Sequence, residues 1–214
     1  MKLKKIYIFS GLGVDERVFK NMDFSGFEVS FISWINPLEK ESIESYAKRL
    51  SAQITEIKPI LVGLSFGGMM AIEVAKLLET EKVILIASAK TKHEIPFYYR
   101  LGGILRLQKL IPISFLKNAN FITYWFFGTQ TKEEKHLLKN ILNDTDSLFL
   151  RWAINKIVYW KNETCLQNLI HIHGTKDRVL PIRYVSFDIK ITDGGHLMTV
   201  NKAVEISKLL KENL

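Results

Sequence analysis

A serine, an aspartate and a histidine follow one another along this chain in an order that suits covalent catalysis. Ser65 stands between glycines in GLSFG, Asp177 follows the apolar run that ends in HIHG, and His196 follows the glycine pair of TDGGH. A serine hydroxyl is a poor nucleophile unless a base accepts its proton, and the base needs an acid to orient it. The three residues therefore predict acyl transfer, with Ser65 as nucleophile, His196 as base and Asp177 as acid.

The G-x-S-x-G pattern around Ser65 gains specificity from its surroundings. The apolar run PILV precedes it, and the helical pattern GGMMAIEVAKLL follows it. A serine on such a strand-to-helix turn points its Oγ outward, and flanking glycines remove Cβ atoms that would clash with neighbouring backbone. The N-terminus of the helix favours negative charge beside the serine. A glycine-rich turn with an incidental serine is the competing interpretation, and the phosphate-loop version of it lacks a dinucleotide or Walker pattern.

Four other histidines compete with His196 for the role of base. His93 and His136 fall in a segment with helical patterns, where we expect solvated side chains. His171 and His173 lie on or at the end of a predicted strand, and their spacing of two puts them on one face. We therefore expect these two to be structural or to support the site from behind.

Asp193 is the serious alternative to Asp177, because it lies three residues before His196. A loop acid at the carboxyl end of a strand reaches the base more naturally, which favours Asp177. Other aspartates are set aside because they fall in a strand pattern or in the helical segment. These are Asp188, Asp144 and Asp146.

Six short apolar runs bounded by turn residues predict β-strands, and most of them are continuous rather than alternating. Such runs are typical of a parallel sheet that helices cover on both faces. Amphipathic patterns lie between them, in ESIESYAKRLSAQITEI, with an apolar stripe from Ile43 to Ile57, and similarly in GGMMAIEVAKLLE and AVEISKLLKENL. The alternation predicts an α/β architecture with right-handed crossovers. The predicted strands are Lys5–Phe9, Phe27–Ser33, Ile60–Gly63, Val83–Ala87, Leu169–His173 and Phe187–Ile191.

An acyl-transfer site also needs N–H donors for the negative oxygen that forms during attack. One candidate is the backbone N–H of Phe66, directly after the nucleophile. The second is expected in the loop after the first strand, FSGLGVDERVF, where we favour the N–H of Leu12 with Gly13 behind it. Asp15 in that loop is the predicted N-cap of a helix that begins at Glu16. Both donors face one oxyanion only if the first and third predicted strands are neighbours.

The strand–helix alternation is interrupted by a helical, aromatic-rich segment, predicted at residues 90–163. Thr131 and Glu134 form the pattern of a capping box at the start of one of its helices. We predict an α/β core domain of residues 1–89 and 164–214, with 90–163 inserted as a helical cap or lid. The aromatic residues of the segment are expected to hold the cap together and onto the sheet, and some of them to line an apolar pocket.

The length of the chain suits one domain with a sizeable core, and its composition is that of a folded globular protein. Hydrophobic residues make up 47% of the 214 and charged residues 24%. The net charge is +8, but the lysines are scattered, so we expect a solvated basic surface and no nucleic-acid partner. Cys165 is the single cysteine, which predicts no disulfide and a reducing compartment. No stretch approaches the roughly 20 apolar residues of a membrane span. A cytoplasmic protein without a secretory leader is the expectation.

Together these motifs resemble the α/β-hydrolase superfamily over almost the whole chain. SGLG stands where many members have His-Gly-x-Gly, GLSFGG matches the nucleophile turn, HGTKD the acid loop and GGH the base. The resemblance implies a three-layer α/β sandwich whose six-stranded, mostly or wholly parallel sheet has the order 2-1-3-4-5-6. In two respects the chain departs from the family. It begins at the strand before the oxyanion loop, so two usual strands are missing, and Ser10 replaces the common histidine.

The family includes carboxylesterases, lipases, thioesterases, amidases, C–C hydrolases and acyltransferases. We therefore expect a serine hydrolase that cleaves an ester or thioester of a small to medium, apolar small-molecule substrate through an acyl-enzyme. This chemistry implies neither a metal nor an organic cofactor. A non-catalytic ligand-binding protein is one alternative, and an acyltransferase or C–C hydrolase with the same triad is another. Substrate identity, cap mobility and oligomeric state stay open.

Overall fold

Six strands form one parallel sheet in the order β2-β1-β3-β4-β5-β6 in a computed structural model, which describes residues 3–214. The predicted α/β class and strand order are thereby confirmed. The first two residues of the predicted 1–89 core segment lie outside the described residues. The strands are β1 (Lys4–Phe9), β2 (Phe27–Phe31), β3 (Ile60–Leu64), β4 (Lys82–Ile86), β5 (Leu169–Gly174) and β6 (Ile189–Ile191).

Nine α-helices lie among the described residues, with short 3₁₀ turns between some of them. They are α1 (Ile43–Ser51), α2 (Phe66–Ala75), α3 (Phe97–Ile104), α4 (Ile113–Leu116), α5 (Phe121–Phe127), α6 (Lys132–Asp144), α7 (Ser147–Val158), α8 (Met198–Asn201) and α9 (Ala203–Asn213). Across residues 3–214, no helix has both the length and the apolar character that crossing a bilayer requires.

Side chains along each strand alternate between two buried layers, because successive residues of a strand point to opposite faces of the sheet. In β1, Ile6 and Ile8 pack into one layer, whereas Tyr7 and Phe9 pack into the other. Residues of α6 and α9 complete the first layer, and residues of α1, α2 and α7 complete the second. Burial on both faces explains why the strands are continuous apolar runs.

Two of the predicted amphipathic patterns were wrong in detail. The apolar stripe of α1 does not reach Ile57, because the helix ends at Ser51 and Ile57 lies in the following loop with 90% of its surface exposed. Helix α2 has no exposed face from Phe66 to Val74, because it packs between the sheet and its helical neighbours. Its Glu73 is buried and accepts a hydrogen bond from the indole of Trp160 at 2.9 Å.

Helices α3–α7 lie between β4 and β5, in the stretch for which a cap is predicted. The predicted capping box opens α6, where the N–H of Glu134 donates to Thr131 Oγ1 at 3.2 Å. The Oε2 atom of Glu134 in turn accepts a hydrogen bond from the N–H of Gln130, the residue before Thr131, at 2.6 Å. Helix α7 packs on the core through aromatic contacts, and the rings of Trp152 and Tyr46 have centroids 4.3 Å apart.

Candidate active site

Ser65 forms a sharp turn between the end of β3 and the start of α2. Its backbone has φ 53° and ψ −123°, a conformation that is rare for a residue with a side chain. Two contacts from the end of β4 hold this turn. The N–H of Ser65 donates to the carbonyl of Ile86 at 2.9 Å, and the hydroxyl of Ser88 donates to the carbonyl of Ser65 at 2.6 Å. The strained conformation is therefore fixed by the sheet.

The glycines around Ser65 are required by the close approach of neighbouring backbone. A Cβ on Gly67 would lie 2.2 Å from the carbonyl oxygen of Ser10, and one on Gly63 would lie 2.4 Å from the Cα of Gly68. Such distances are far inside van der Waals contact. The two glycines of the G-x-S-x-G pattern thus let β1, β3 and α2 meet at this corner, which is the steric role that the sequence predicts for them.

The structure brings Ser65, His196 and Asp177 together in one hydrogen-bonded row. Nε2 of His196 lies 2.8 Å from the Oγ of Ser65, and Nδ1 of His196 lies 2.8 Å from Oδ2 of Asp177. His196 and Asp177 are 3% and 4% exposed, so the contact between them is shielded from water, whereas the contact between His196 and Ser65 is part-buried. Ser65 is partly exposed and is the member of the row that an incoming molecule can reach.

The contacts of Asp177 fix the proton positions in this row. Its Oδ1 accepts from the N–H groups of Val179 and Leu180 at 2.9 and 2.8 Å, which holds the carboxylate in place. Since a carboxylate only accepts hydrogen bonds, Nδ1 of His196 carries the proton that points to Oδ2. The neutral ring then presents the lone pair of Nε2 to the Ser65 hydroxyl, which is the arrangement that a general base needs.

The loop after β1 lies against the Ser65 turn, as the neighbouring strands β1 and β3 require. A Cβ on Gly11 would be 3.4 Å from the Cβ of Ser65. Within residues 3–214, the N–H groups of Leu12 and Phe66 have no hydrogen-bond acceptor. The hydroxyl of Ser10 accepts a hydrogen bond from the indole of Trp34 at 2.9 Å. Neither N–H group is therefore engaged by an acceptor within these residues.

Asp15 caps the turn that follows this loop, as predicted, but the turn is a 3₁₀ helix, Glu16–Phe19. The carboxylate of Asp15 accepts from the N–H of Arg17 at 3.0 Å and pairs with the guanidinium of the same residue at 2.6 Å. Partial burial raises the pKa of Asp15, but the hydrogen bonds from Arg17 outweigh it and lower the pKa overall. Arg17 also pairs with Asp144 at 2.8 Å, which ties α6 to this loop.

The rival histidines and acids lie elsewhere. His93 is 64% exposed and stands 3.7 Å from Glu163, and His136 is exposed on α6. The side chain of Asp193 is 57% exposed and pairs with Lys176 at 2.8 Å. With these positions and contacts, the side chains of His93, His136 and Asp193 take no part in the hydrogen-bonded row of Ser65.

The remaining aspartates also have other partners. Asp188 lies just before β6 rather than inside a strand, and its carboxylate accepts from the backbone N–H of His171 at 2.8 Å. Asp146 caps α7 by accepting from the N–H of Phe149 at 2.8 Å. Asp177 is the aspartate that contacts His196.

His171 and His173 form a buried pair behind Asp177. Nε2 of His173 lies 2.8 Å from the carbonyl oxygen of Leu180, and its Nδ1 lies 3.2 Å from Nε2 of His171. Burial, and secondarily the neighbouring His173, lowers the pKa of His171 to about 3. Burial also lowers the pKa of His173, against the opposing effect of Asp177. The sequence predicts a supporting role from their shared face, but not the link through Leu180.

The C-terminal end of α5 packs on the loops that carry Asp177 and His196. The rings of Phe127 and His196 meet edge to face with centroids 5.7 Å apart, and the N–H of Leu197 donates to the carbonyl of Phe127 at 3.3 Å. Arg178, next to Asp177, donates to the carbonyl of Trp125 at 2.7 Å and lies 4.5 Å from the centroid of its ring. No local sequence pattern predicts these contacts, because they join segments that are distant in the chain.

A cavity of about 190 Å³ opens beside the loop after β1. Trp34 forms one wall of it and also contacts Phe66, with ring centroids 5.7 Å apart. Phe149 of α7 forms another wall and lies 5.1 Å from Trp34. The other lining residues are both polar and apolar: Gly13, Val14, Asp15, Ile35, Asn36, Ile141, Asp144, Thr145 and Asp146. In the part of the chain that the structure describes, no cluster of three or more His, Cys, Asp or Glu side chains could hold a metal ion.

Comparison with known proteins places this site on a known fold. No protein-family model and no curated protein matches the sequence. The chain is similar in structure to a hydrolase from Oleispira antarctica (TM-score 0.73, 15% identity, covering 99% of this chain and 91% of that one). It is also similar to a bromoperoxidase from Bacillus anthracis (0.71, 15%, 99% and 92%) and to an esterase from Exiguobacterium antarcticum (0.70, 13%, 98% and 91%). The chain has the α/β-hydrolase fold, as the motifs imply.

Proposed function

We propose that the protein is a serine hydrolase that cleaves an ester or thioester bond through an acyl-enzyme. The observation that carries this proposal is the row of two 2.8 Å contacts from Ser65 through His196 to Asp177. The unoccupied N–H groups of Leu12 and Phe66 beside the serine support it. Esterases and other hydrolases among the structural relatives agree with it.

In the proposed reaction, Ser65 Oγ attacks the substrate carbonyl while Nε2 of His196 takes the hydroxyl proton. The carbonyl oxygen becomes negative and is stabilised by the N–H groups of Leu12 and Phe66 and by the N-terminus of α2. The tetrahedral intermediate then expels the alcohol or thiol, which receives the proton from His196. Water attacks the acyl-enzyme in the same way and releases the acid. Asp177 keeps the imidazole in the required tautomer throughout.

The substrate is proposed to be small to medium in size, with an apolar group in the cavity beside the oxyanion loop. Trp34 and Phe149 would contact that group, and a cavity of about 190 Å³ suits a short chain or a single ring. In this proposal residues 90–163 are a helical cap on a core of residues 1–89 and 164–214. Phe149 belongs to this cap, so the cap would contribute to substrate selection.

A fluorophosphonate probe tests the nucleophile directly, because it reacts only with an activated serine. We expect labelling of the full-length protein, loss of labelling in Ser65→Ala, and full labelling in Ser114→Ala. Ser114 is an exposed serine and therefore a matched control. Labelling that persists in Ser65→Ala would assign the reactive group elsewhere and overturn the proposal.

Substrate class is tested with p-nitrophenyl esters and acyl-CoA thioesters of increasing acyl length. We expect activity on short chains that is lost in Ser65→Ala. A protein that hydrolyses none of them but gains thermal stability with a small molecule would instead be a ligand-binding protein. Transfer of the acyl group to an added alcohol or amine in preference to water would identify an acyltransferase. A cytoplasmic location stays a prediction from the single cysteine.

A further inference from the structure

The segment that precedes α6 has an unusual charge composition. From residue 95 to residue 132 the chain contains five basic residues and no Asp or Glu. Elsewhere acidic and basic residues are interspersed. The basic residues of this stretch are Arg100, Arg106, Lys109, Lys117 and Lys132. Its positive charge is therefore not compensated locally.

The same segment exposes much of the protein's apolar surface. Twelve of the twenty large apolar side chains that are exposed among residues 3–214 lie between residues 97 and 126. Phe121 is 80% exposed, Leu110 77% and Ile104 71%. The others are Phe97, Tyr98, Leu101, Leu105, Leu107, Phe115, Ile122, Trp125 and Phe126. Soluble monomers rarely expose so much apolar surface in one segment, and such surfaces mark interaction sites.

In α3 and α5 the exposed apolar residues follow the helical period. In α3 they include Phe97, Leu101 and Ile104, which share a face at i, i+4 and i+7. In α5, Phe121 and Trp125 repeat at i and i+4 on the outward face. The inward face of α5 packs on the core through Tyr124 and Phe127. Both helices therefore present an ordered apolar face to solvent.

The basic residues beside these faces are free to bind a partner. Arg100, Arg106 and Lys109 are exposed, and none of their side chains has an ion pair or hydrogen bond within the described chain. Lys117 differs because it donates to the carbonyl of Thr145 at 2.8 Å. Exposed apolar helix faces flanked by unpaired Arg and Lys are the features with which amphipathic helices bind the interface of an anionic bilayer.

We propose that the surface formed by residues 97–126 docks on an anionic lipid bilayer, lying in its interface without crossing it. Anionic headgroups complement the basic residues, and the acyl-chain boundary accepts the aromatic and aliphatic side chains. The net charge of +8 adds long-range attraction to such a membrane. A second copy of the chain fits less well, because a twofold interface here would bring like charges together.

Docking in this orientation would place the candidate active site at the lipid–water boundary. Trp125 is 47% exposed on the docking surface while its ring and carbonyl contact Arg178, next to Asp177. Two residues later, Phe127 contacts the ring of His196. If the proposed hydrolase function holds, its ester would be one that partitions into membranes. The docking itself does not depend on that function.

Vesicle sedimentation tests the docking with full-length Ser65→Ala, so that turnover plays no part. We expect the protein to sediment with vesicles of phosphatidylcholine and phosphatidylglycerol, to bind phosphatidylcholine alone much more weakly, and to lose affinity as salt increases. The triple variant Arg100→Gln, Arg106→Gln, Lys109→Gln should bind the anionic vesicles about a hundredfold more weakly. A triple variant at Ile104, Leu110 and Phe121, each changed to Ser, should also lose binding.

The matched control removes the same charge elsewhere, with Lys20→Gln, Lys48→Gln and Lys161→Gln. These lysines are exposed and lie outside the docking surface, so binding should change by less than about threefold. An equal loss in both charge variants would show attraction by net charge alone and overturn the proposal. Absence of binding, together with a concentration-dependent dimer that the three serine substitutions abolish, would assign the surface to self-association instead. Circular dichroism verifies that all variants are folded.

Discussion

Asp177 and His173 both contact the backbone of Leu180, Asp177 through its N–H and His173 through its carbonyl oxygen. The N–H of Leu180 donates to Oδ1 of Asp177 at 2.8 Å, and its carbonyl oxygen lies 2.8 Å from Nε2 of His173. His173 is fully buried, so water does not compete for this contact. The turn that holds the carboxylate is therefore fixed from the strand behind it, and Oδ2 is left to orient His196.

Replacing His173 tests this link. In His173→Gln the side-chain amide reaches about the position of Nε2 and still donates to Leu180, so we expect kcat to stay within about threefold of wild type. His173→Leu leaves the buried carbonyl without a donor. We expect kcat to fall about tenfold to a hundredfold with little change in KM, because Asp177 and His196 lose their alignment. Hydrolysis of the best ester in the series provides both constants.

A low-field proton resonance supplies a second measurement for the same pair of variants. The proton between Nδ1 of His196 and Asp177 should give such a signal in wild type and in His173→Gln. The signal should be absent in His173→Leu. Equal kinetics and equal spectra in the two variants would show that His173 only fills space.

The substitutions Asp177→Asn and Asp193→Asn test which of the two aspartates orients His196. An amide at position 177 cannot accept the Nδ1 proton in the same way, so His196 adopts the wrong tautomer, and kcat should fall about ten-thousandfold. Asp193 pairs with Lys176 on the surface, and its substitution should leave kcat within about twofold. The reverse result would transfer the acid's role to Asp193. Both variants should remain folded by circular dichroism.

Replacing Gly67 or Gly102 with alanine should change the free energy of unfolding in opposite directions. Gly67→Ala places a Cβ 2.2 Å from the carbonyl oxygen of Ser10, so we expect a loss of about 3 kcal/mol or more in the free energy of unfolding. Gly102 lies in α3 with no atom within 4 Å of an added Cβ. Gly102→Ala should raise the free energy of unfolding by up to about 1 kcal/mol. Urea denaturation measures both, and a tolerated alanine at position 67 would contradict the packing described here.

Stability should fall as the pH is lowered through the range of an ordinary histidine. The folded protein keeps the pKa of His171 near 3, whereas the unfolded chain has the ordinary value of 6.5. Below about pH 6.5 the unfolded state therefore binds a proton that the folded state does not, and the free energy of unfolding decreases by at most about 1.4 kcal/mol per pH unit for this group.

Urea midpoints between about pH 7.5 and pH 5 measure this dependence, because this range spans the ordinary pKa of histidine and lies above the ordinary pKa values of Asp and Glu. His171→Asn should make the midpoint less dependent on pH. The exposed His136→Asn serves as control and should leave the slope as in wild type. An unchanged slope in His171→Asn would show that the buried pair does not cause the dependence.

Ser65, Asp177 and His196 could be identified as candidates because each rests on a local pattern, whereas the strand order followed from the resemblance to the α/β-hydrolase superfamily. Every one of these residues follows an apolar run, and a parallel sheet brings the carboxyl ends of such runs to one edge. The glycines beside Ser65 were predictable for the same reason, since a tight turn with a side chain at positive φ leaves no space for a Cβ.

Features that depend on which segments meet could not be predicted. The apolar periodicity around α2 is compatible with an amphipathic helix, and only the packing of α1 and Trp160 against it shows that no face is exposed. The aromatic residues of α5 were expected to pack inward or line a pocket. Phe127 does pack inward, but Phe121 and Trp125 face solvent, because the rotation of a short helix is set by its contacts rather than by its composition.

Val83 of β4 and Leu169 of β5 are direct partners in the sheet although α3–α7 lie between them in the chain. Closing a longer loop between two fixed ends costs only about 0.6 kcal/mol for each doubling of its length. Helices can therefore be gained, lost or exchanged between these strands with little entropic penalty and no change of register. Ser65, Asp177 and His196 all lie outside that stretch, so descendants of this gene can change the helices beside this row of residues while inheriting the row itself.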